Sequence, residues 1–148
     1  MSQTEARAGR LRLLARLRGA QRLTALRDAA EAEAGFARHH GLSRRTESLC
    51  AEYSARRDCS DGDELRRMRG FASEIAALSL RAATDAQHAA AQAEQKGAAL
   101  AQATRRRDMA DDRAKAAMRD VLRQRQENGT DLARSLKGTE KKRRKRDG

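Results

Sequence analysis

Only 19 of the 148 residues are Leu, Ile, Val or Phe, about 13% of the chain. Globular chains rarely fall below about 20% in these four types. Burial of apolar surface must offset about 1–2 kcal/mol of backbone entropy for each ordered residue. A compact globule with a pocket cannot be built on so little bulk, which excludes an enzyme of ordinary kind. Ala (31), Arg (27), Leu (15), Glu (10) and Lys (6) together supply 89 residues, the composition of a long helix or coiled coil. The chain has no proline, so nothing of that kind interrupts a helix.

Periodicity divides the chain into two helical segments. In the first, about 4 to 58, Leu13, Leu17, Ala20, Leu23, Leu26, Ala30, Ala34 and Ala37 recur at steps of 3 and 4, with slips from a strict heptad. Leu42, Thr46, Leu49 and Tyr53 resume the pattern beyond His39-His40-Gly41. Cys59-Ser60-Asp61-Gly62-Asp63-Glu64 reads as the turn, with Gly62 free to take positive φ. Asp61 and Glu64 there have the spacing of a capping box.

The second segment, from about Glu64 to Glu127, has its seam at Met68, Phe71, Ile75, Leu78, Ala82, Ala86, Ala89, Ala93, Leu100, Ala110, Ala114, Ala117 and Val121. Asn128-Gly129 reads as its C-cap. At 1.5 Å per residue this helix is about 90–95 Å long and must pair along its length. The expected fold is all-α: two long helices in an antiparallel coiled-coil hairpin over 1–137, turning near 59–63, with a disordered basic tail over 138–148. The tail run Lys141, Lys142, Arg143, Arg144, Lys145, Arg146 is six consecutive cations, which repel one another.

The net charge of +12 is unevenly placed. Residues 1–27 carry +6, residues 28–104 carry −2, and residues 105–148 carry +8. An antiparallel pairing puts both basic arms at one end, which would be steered into an acidic partner. The candidate contacts on those arms are Arg10, Arg12, Arg16, Arg18 and Arg22, with Arg105, Arg106 and Arg107.

No chemistry-bearing constellation accompanies this charge. The glycines are scattered rather than gathered into a phosphate loop, and no nucleophile, base and acid can be placed in a cleft. His39, His40, Cys50 and Cys59 do not have zinc-ligand spacing. Neither a catalytic site, a metal nor a cofactor is expected. No apolar run is long enough for a membrane span or a signal-peptide core.

The size, the two-helix layout and three stretches resemble the FliJ family of flagellar export and its YscO-type injectisome relatives in type III secretion. The stretches are Leu11-Arg12-Leu13-Leu14-Ala15-Arg16-Leu17-Arg18, Met68-Arg69-Gly70-Phe71-Ala72-Ser73-Glu74-Ile75-Ala76-Ala77-Leu78, and the Arg-rich run from Arg105 to Ala117. The low aromatic content and the tail of six cations depart from that family's pattern.

The resemblance implies a protein of the bacterial cytoplasm, peripheral to the inner-membrane export apparatus. Its joined termini would enter a hexameric export ATPase, and Met68, Phe71, Ile75 and Leu78 would face the export gate protein. Export chaperones are further implied partners. The alternative is a basic helical protein that binds nucleic-acid phosphates through its terminal arms in a salt-dependent way. A third reading is a structural coiled coil that dimerises by its alanine seam.

Overall fold

The computed structural model describes residues 2–144. They form two helices, α1 (Gln3–Ala55) and α2 (Gly62–Arg144). No helix among the described residues is long and apolar enough to cross a membrane.

Each helix starts on a side-chain cap. At α2 the Glu64 amide donates to Asp61 Oδ1 at 2.7 Å, so Asp61 is the cap that the sequence indicates. The Glu64 carboxylate turns back but reaches Ser60 instead of Asp61. It accepts from the Ser60 amide at 3.0 Å and from the Ser60 hydroxyl. Gly62 is the first helical residue and has no positive φ, so the turn does not use the freedom expected of it. At α1, Ser2 and Glu5 make the reciprocal box. The Glu5 amide donates to Ser2 Oγ at 3.3 Å, and the Ser2 amide donates to Glu5 Oε2 at 3.1 Å.

The α1 helix continues through His39-His40-Gly41, as the resumed pattern beyond it allows. The expected end at Asn128-Gly129 is absent, and α2 passes through it and Gly138 as far as Arg144. Gly129 therefore does not cap the helix, and its φ is not positive. Where a disordered tail is expected, residues 138–144 are helical. Lys and Arg are good helix formers, and cations near a helix C-terminus interact favourably with its dipole. Lys145 and Arg146 lie outside the described residues.

Tertiary contacts divide the chain into two compact units: Met1–Arg22 with Ala103–Gly148, and Leu23–Gln102. In the first unit, here the terminal unit, Ala8 packs with Ala117 and Val121, and Leu11 packs against them. Thr4 Oγ1 donates to Gln124 Oε1 at 2.6 Å, and Arg125 pairs with Glu5. Low numbers on α1 meet high numbers on α2, so the helices are antiparallel. Buried and half-buried residues follow a regular rhythm: Ala8, Leu11, Ala15, Arg18 and Arg22 face Ala103, Arg107, Ala110, Ala114, Ala117 and Val121.

The second unit, here the turn unit, repeats the arrangement by itself. Asp28 meets Lys96 at 3.9 Å, Tyr53 meets Phe71, and Cys59 Sγ lies 3.8 Å from Met68 Sδ. Its inward residues are Ala25, Ala29, Ala32, Phe36, Ser43, Thr46, Cys50 and Tyr53 on α1. On α2 they are Met68, Ala72, Ile75, Ser79, Ala82, Ala86, Ala89, Ala93 and Leu100. Buried Thr46 satisfies its hydroxyl on its own helix, donating to the carbonyls of Leu42 (3.1 Å) and Ser43 (2.9 Å). In both units the inward positions keep a seven-residue period, with steps of 3 and 4 except for one step of seven on each helix of the turn unit, Phe36 to Ser43 and Ala93 to Leu100.

This rhythm corrects the seam expected on α1. All eight of its residues between Leu13 and Ala37 are exposed, with Leu13 at 65% and Leu17 at 54%. The helix turns a small-residue face inward instead. The facing surface of α2 is mostly alanine, and small residues of α1 fill most of the positions opposite it. On α2 the expected seam holds except at Phe71 and Leu78, which are exposed.

Candidate functional site

The eight arginines singled out on the two arms all belong to the terminal unit. By sequence that unit holds 22 Lys and Arg against 9 Asp and Glu, a net +13. The turn unit holds 11 against 12, a net −1. The division made by packing thus coincides with a division of charge.

The eight are not equivalent. Arg10, Arg12, Arg16, Arg105 and Arg106 are exposed, and their cationic heads are available to a partner. Arg18, Arg22 and Arg107 are half-buried at inward positions. Arg18 Nη1 donates to Gln21 Oε1 at 2.8 Å. Arg107 Nη1 lies 2.9 Å from Asp108 Oδ1, and its Nε lies 3.2 Å from Asp111 Oδ2. The Nε of Arg22 is buried with no hydrogen-bond partner.

Sequence reasoning missed Glu5. Its carboxylate caps α1 through Ser2 and also accepts from Arg125 Nη2 at 2.7 Å and Nε at 3.2 Å. The bond from Arg125, aided by the Ser2 amide, holds its carboxyl below the ordinary glutamate range. The signal was legible, since Ser2-Gln3-Thr4-Glu5 is a capping-box sequence. Glu64 is likewise lowered, by its bonds from the Ser60 hydroxyl and amide.

The turn-unit candidates separate by burial. Ile75 is buried, Met68 is half-buried against Cys59, and Phe71 and Leu78 are exposed. Phe71 stands edge-on to Tyr53, with centroids 4.8 Å apart and planes at 74°. Arg56 stacks over the Tyr53 ring, its guanidinium carbon 4.7 Å from the ring centre. Only Phe71 and Leu78 of the four can meet a partner without repacking the helices.

Farther along the same unit an open groove of about 630 Å³ is lined by residues including Asp28, Gly35, Arg38, His39, Asp85 and His88. Among the described residues, no group of three or more His, Cys, Asp or Glu is arranged to hold a metal ion. Cys50 and Cys59 are free thiols. Lys141, Lys142, Arg143 and Arg144 form the last described turn of α2.

Comparison of the chain with protein-family models, with curated proteins and with solved structures returns no match.

Proposed function

We propose that the chain is a non-catalytic coiled-coil stalk or adaptor of a type III protein export apparatus, working in the bacterial cytoplasm at the inner membrane. Its basic terminal unit engages the hexameric export ATPase. Phe71 and Leu78 supply contact to the export gate protein, with Met68 and Ile75 behind them. The seven-residue rhythm of inward positions supports the coiled-coil description, and such a rhythm carries a left-handed supercoil.

The observation that carries the reading is the coincidence of packing and charge. Both chain arms lie in one unit of net +13, with Arg10, Arg12, Arg16, Arg105 and Arg106 exposed on it. A surface of one sign speeds and orients encounter with an acidic partner, and the rate falls as salt rises. The test is a fluorescence-anisotropy titration of the labelled full chain with the export ATPase hexamer at moderate salt. Saturable binding, lost in R10E/R12E/R16E, supports the reading. No complex at moderate salt overturns it.

The same charge favours a second reading, phosphate binding to nucleic acid, because α2 carries Lys141–Arg144 in continuous helix with the basic unit. It requires duplex or RNA binding whose affinity falls steeply with salt, and a smaller slope once residues 141–146 are neutralised. The absence of such binding near physiological salt leaves the export reading alone.

A further inference from the structure

Of the seven exposed leucines of the turn unit, Leu42, Leu49 and Leu78 are gathered on one flank with Phe71. Gly35 and Asp85 line the same groove, so they share a side of the helix pair. Leu42 and Leu49 follow Gly35 at steps of seven, and Leu78 and Phe71 precede Asp85 at steps of seven. With inward positions repeating every seven residues, residues seven apart keep the same side. Leu42 (51% exposed), Leu49 (43%), Phe71 (46%) and Leu78 (50%) therefore form one apolar stripe.

A charged residue follows each of the four by three positions: Arg45, Glu52, Glu74 and Arg81, all exposed. The pairs Asp28–Lys96 and Tyr53–Phe71 fix the level of one helix against the other, since each pair of residue numbers totals 124. At that register Arg45 and Arg81 lie at one level of the flank, and Glu52 and Glu74 lie at another, nearer the turn. The stripe thus has a positive half and a negative half. A surface patterned in this way is complementary to itself when a second copy is turned end for end, the arrangement generated by a twofold axis perpendicular to the helices.

We infer that the flank bearing Leu42, Leu49, Phe71 and Leu78 is a homodimer interface, occupied by the same flank of a second, antiparallel copy. Arg45 and Arg81 of one protomer then meet the Glu52 and Glu74 level of its partner. The net −1 of this unit lets two copies approach, whereas the +13 of the terminal unit opposes association there. The export reading assigns Phe71 and Leu78 to the gate, and self-association does not rest on that assignment.

Sedimentation equilibrium of the full chain tests the inference. The wild type sediments as a dimer. L42S/L78S raises the dimer dissociation constant by at least about tenfold while helicity by circular dichroism is kept. R45E/R81E weakens the dimer by a similar factor without touching the apolar stripe. Adding E52R/E74R to that variant restores it to within about threefold, because both halves of the pattern are then exchanged. A monomer at concentrations up to about 100 µM overturns the proposal. A dimer indifferent to L42S/L78S, or a charge exchange that fails to restore association, overturns it equally.

Discussion

Arg125 Nη2 donates to Glu5 Oε1 at 2.7 Å, closing the two ends of the chain across 120 residues of sequence. The same carboxylate accepts from the Ser2 amide, so the cap of α1 and the pairing of α1 with α2 share one group. This doubling gives the terminal unit a pH dependence.

Glu5 and Glu64 both have folded-state pKa values below their ordinary range, through hydrogen bonds to the charged form. A carboxylate lowered in the folded state adds stability that is fully present above its unfolded value. That stability is lost as pH falls through the folded value. Helicity followed by circular dichroism should hold from neutral pH to about pH 5 and then decline, from a general carboxylate origin near pH 4. In E5Q/E64Q the decline should be shallower. An unchanged acid limb in that variant would mean that the two caps do not contribute.

Gly129 provides a sharp test of where α2 ends. A glycine capping a helix with positive φ resists substitution, whereas a glycine inside an exposed helix costs roughly 0.5–1 kcal/mol relative to Ala. The φ of Gly129 is not positive, and a methyl group there meets no atom within 4 Å. Gly129→Ala should therefore raise stability by up to about 1 kcal/mol in thermal unfolding. A loss of stability would restore the cap at Asn128-Gly129.

The inversion of leucine and alanine on α1 has opposite consequences on the two faces. Leu13→Ala and Leu17→Ala, at exposed positions, should change stability by no more than about 0.5 kcal/mol. Ala8→Leu forces bulk into the packed inward face of α1 and should cost about 1–3 kcal/mol. Denaturant midpoints of the three variants decide between the faces. A large loss in the Leu variants with tolerance at Ala8 would put the leucines inside.

On α2 the seam alanines from Ala82 to Ala117 fall with Met68, Ile75, Leu100 and Val121 on one face, which makes most of its seam legible, while Phe71 and Leu78 lie off it. On α1 the large and small residues do not agree on one face. Leucines at Leu13, Leu17, Leu23 and Leu26 mark one face, and alanines at Ala8, Ala15, Ala25, Ala29 and Ala32 mark another. Periodicity alone follows the bulkier residues, and the choice is made by packing on the partner helix, whose mostly alanine surface is met chiefly by small residues. The basic arms were legible as a count of charges. The role of each arginine was not, because Arg18, Arg22 and Arg107 fall at inward positions that depend on that same choice. The cap at Ser60–Glu64 was read to within one residue, and the box at Ser2–Glu5 went unread although its sequence is plain.

Amide hydrogen exchange of the full chain, alone and saturated with the export ATPase hexamer, bears most directly on the role assigned to the basic unit. Protection should rise in residues 3–22 and 103–125, should weaken as salt is raised, and should be absent from the stripe between Leu42 and Leu78. Protection confined to residues 23–102, or none at saturating hexamer, would contradict docking through the basic unit.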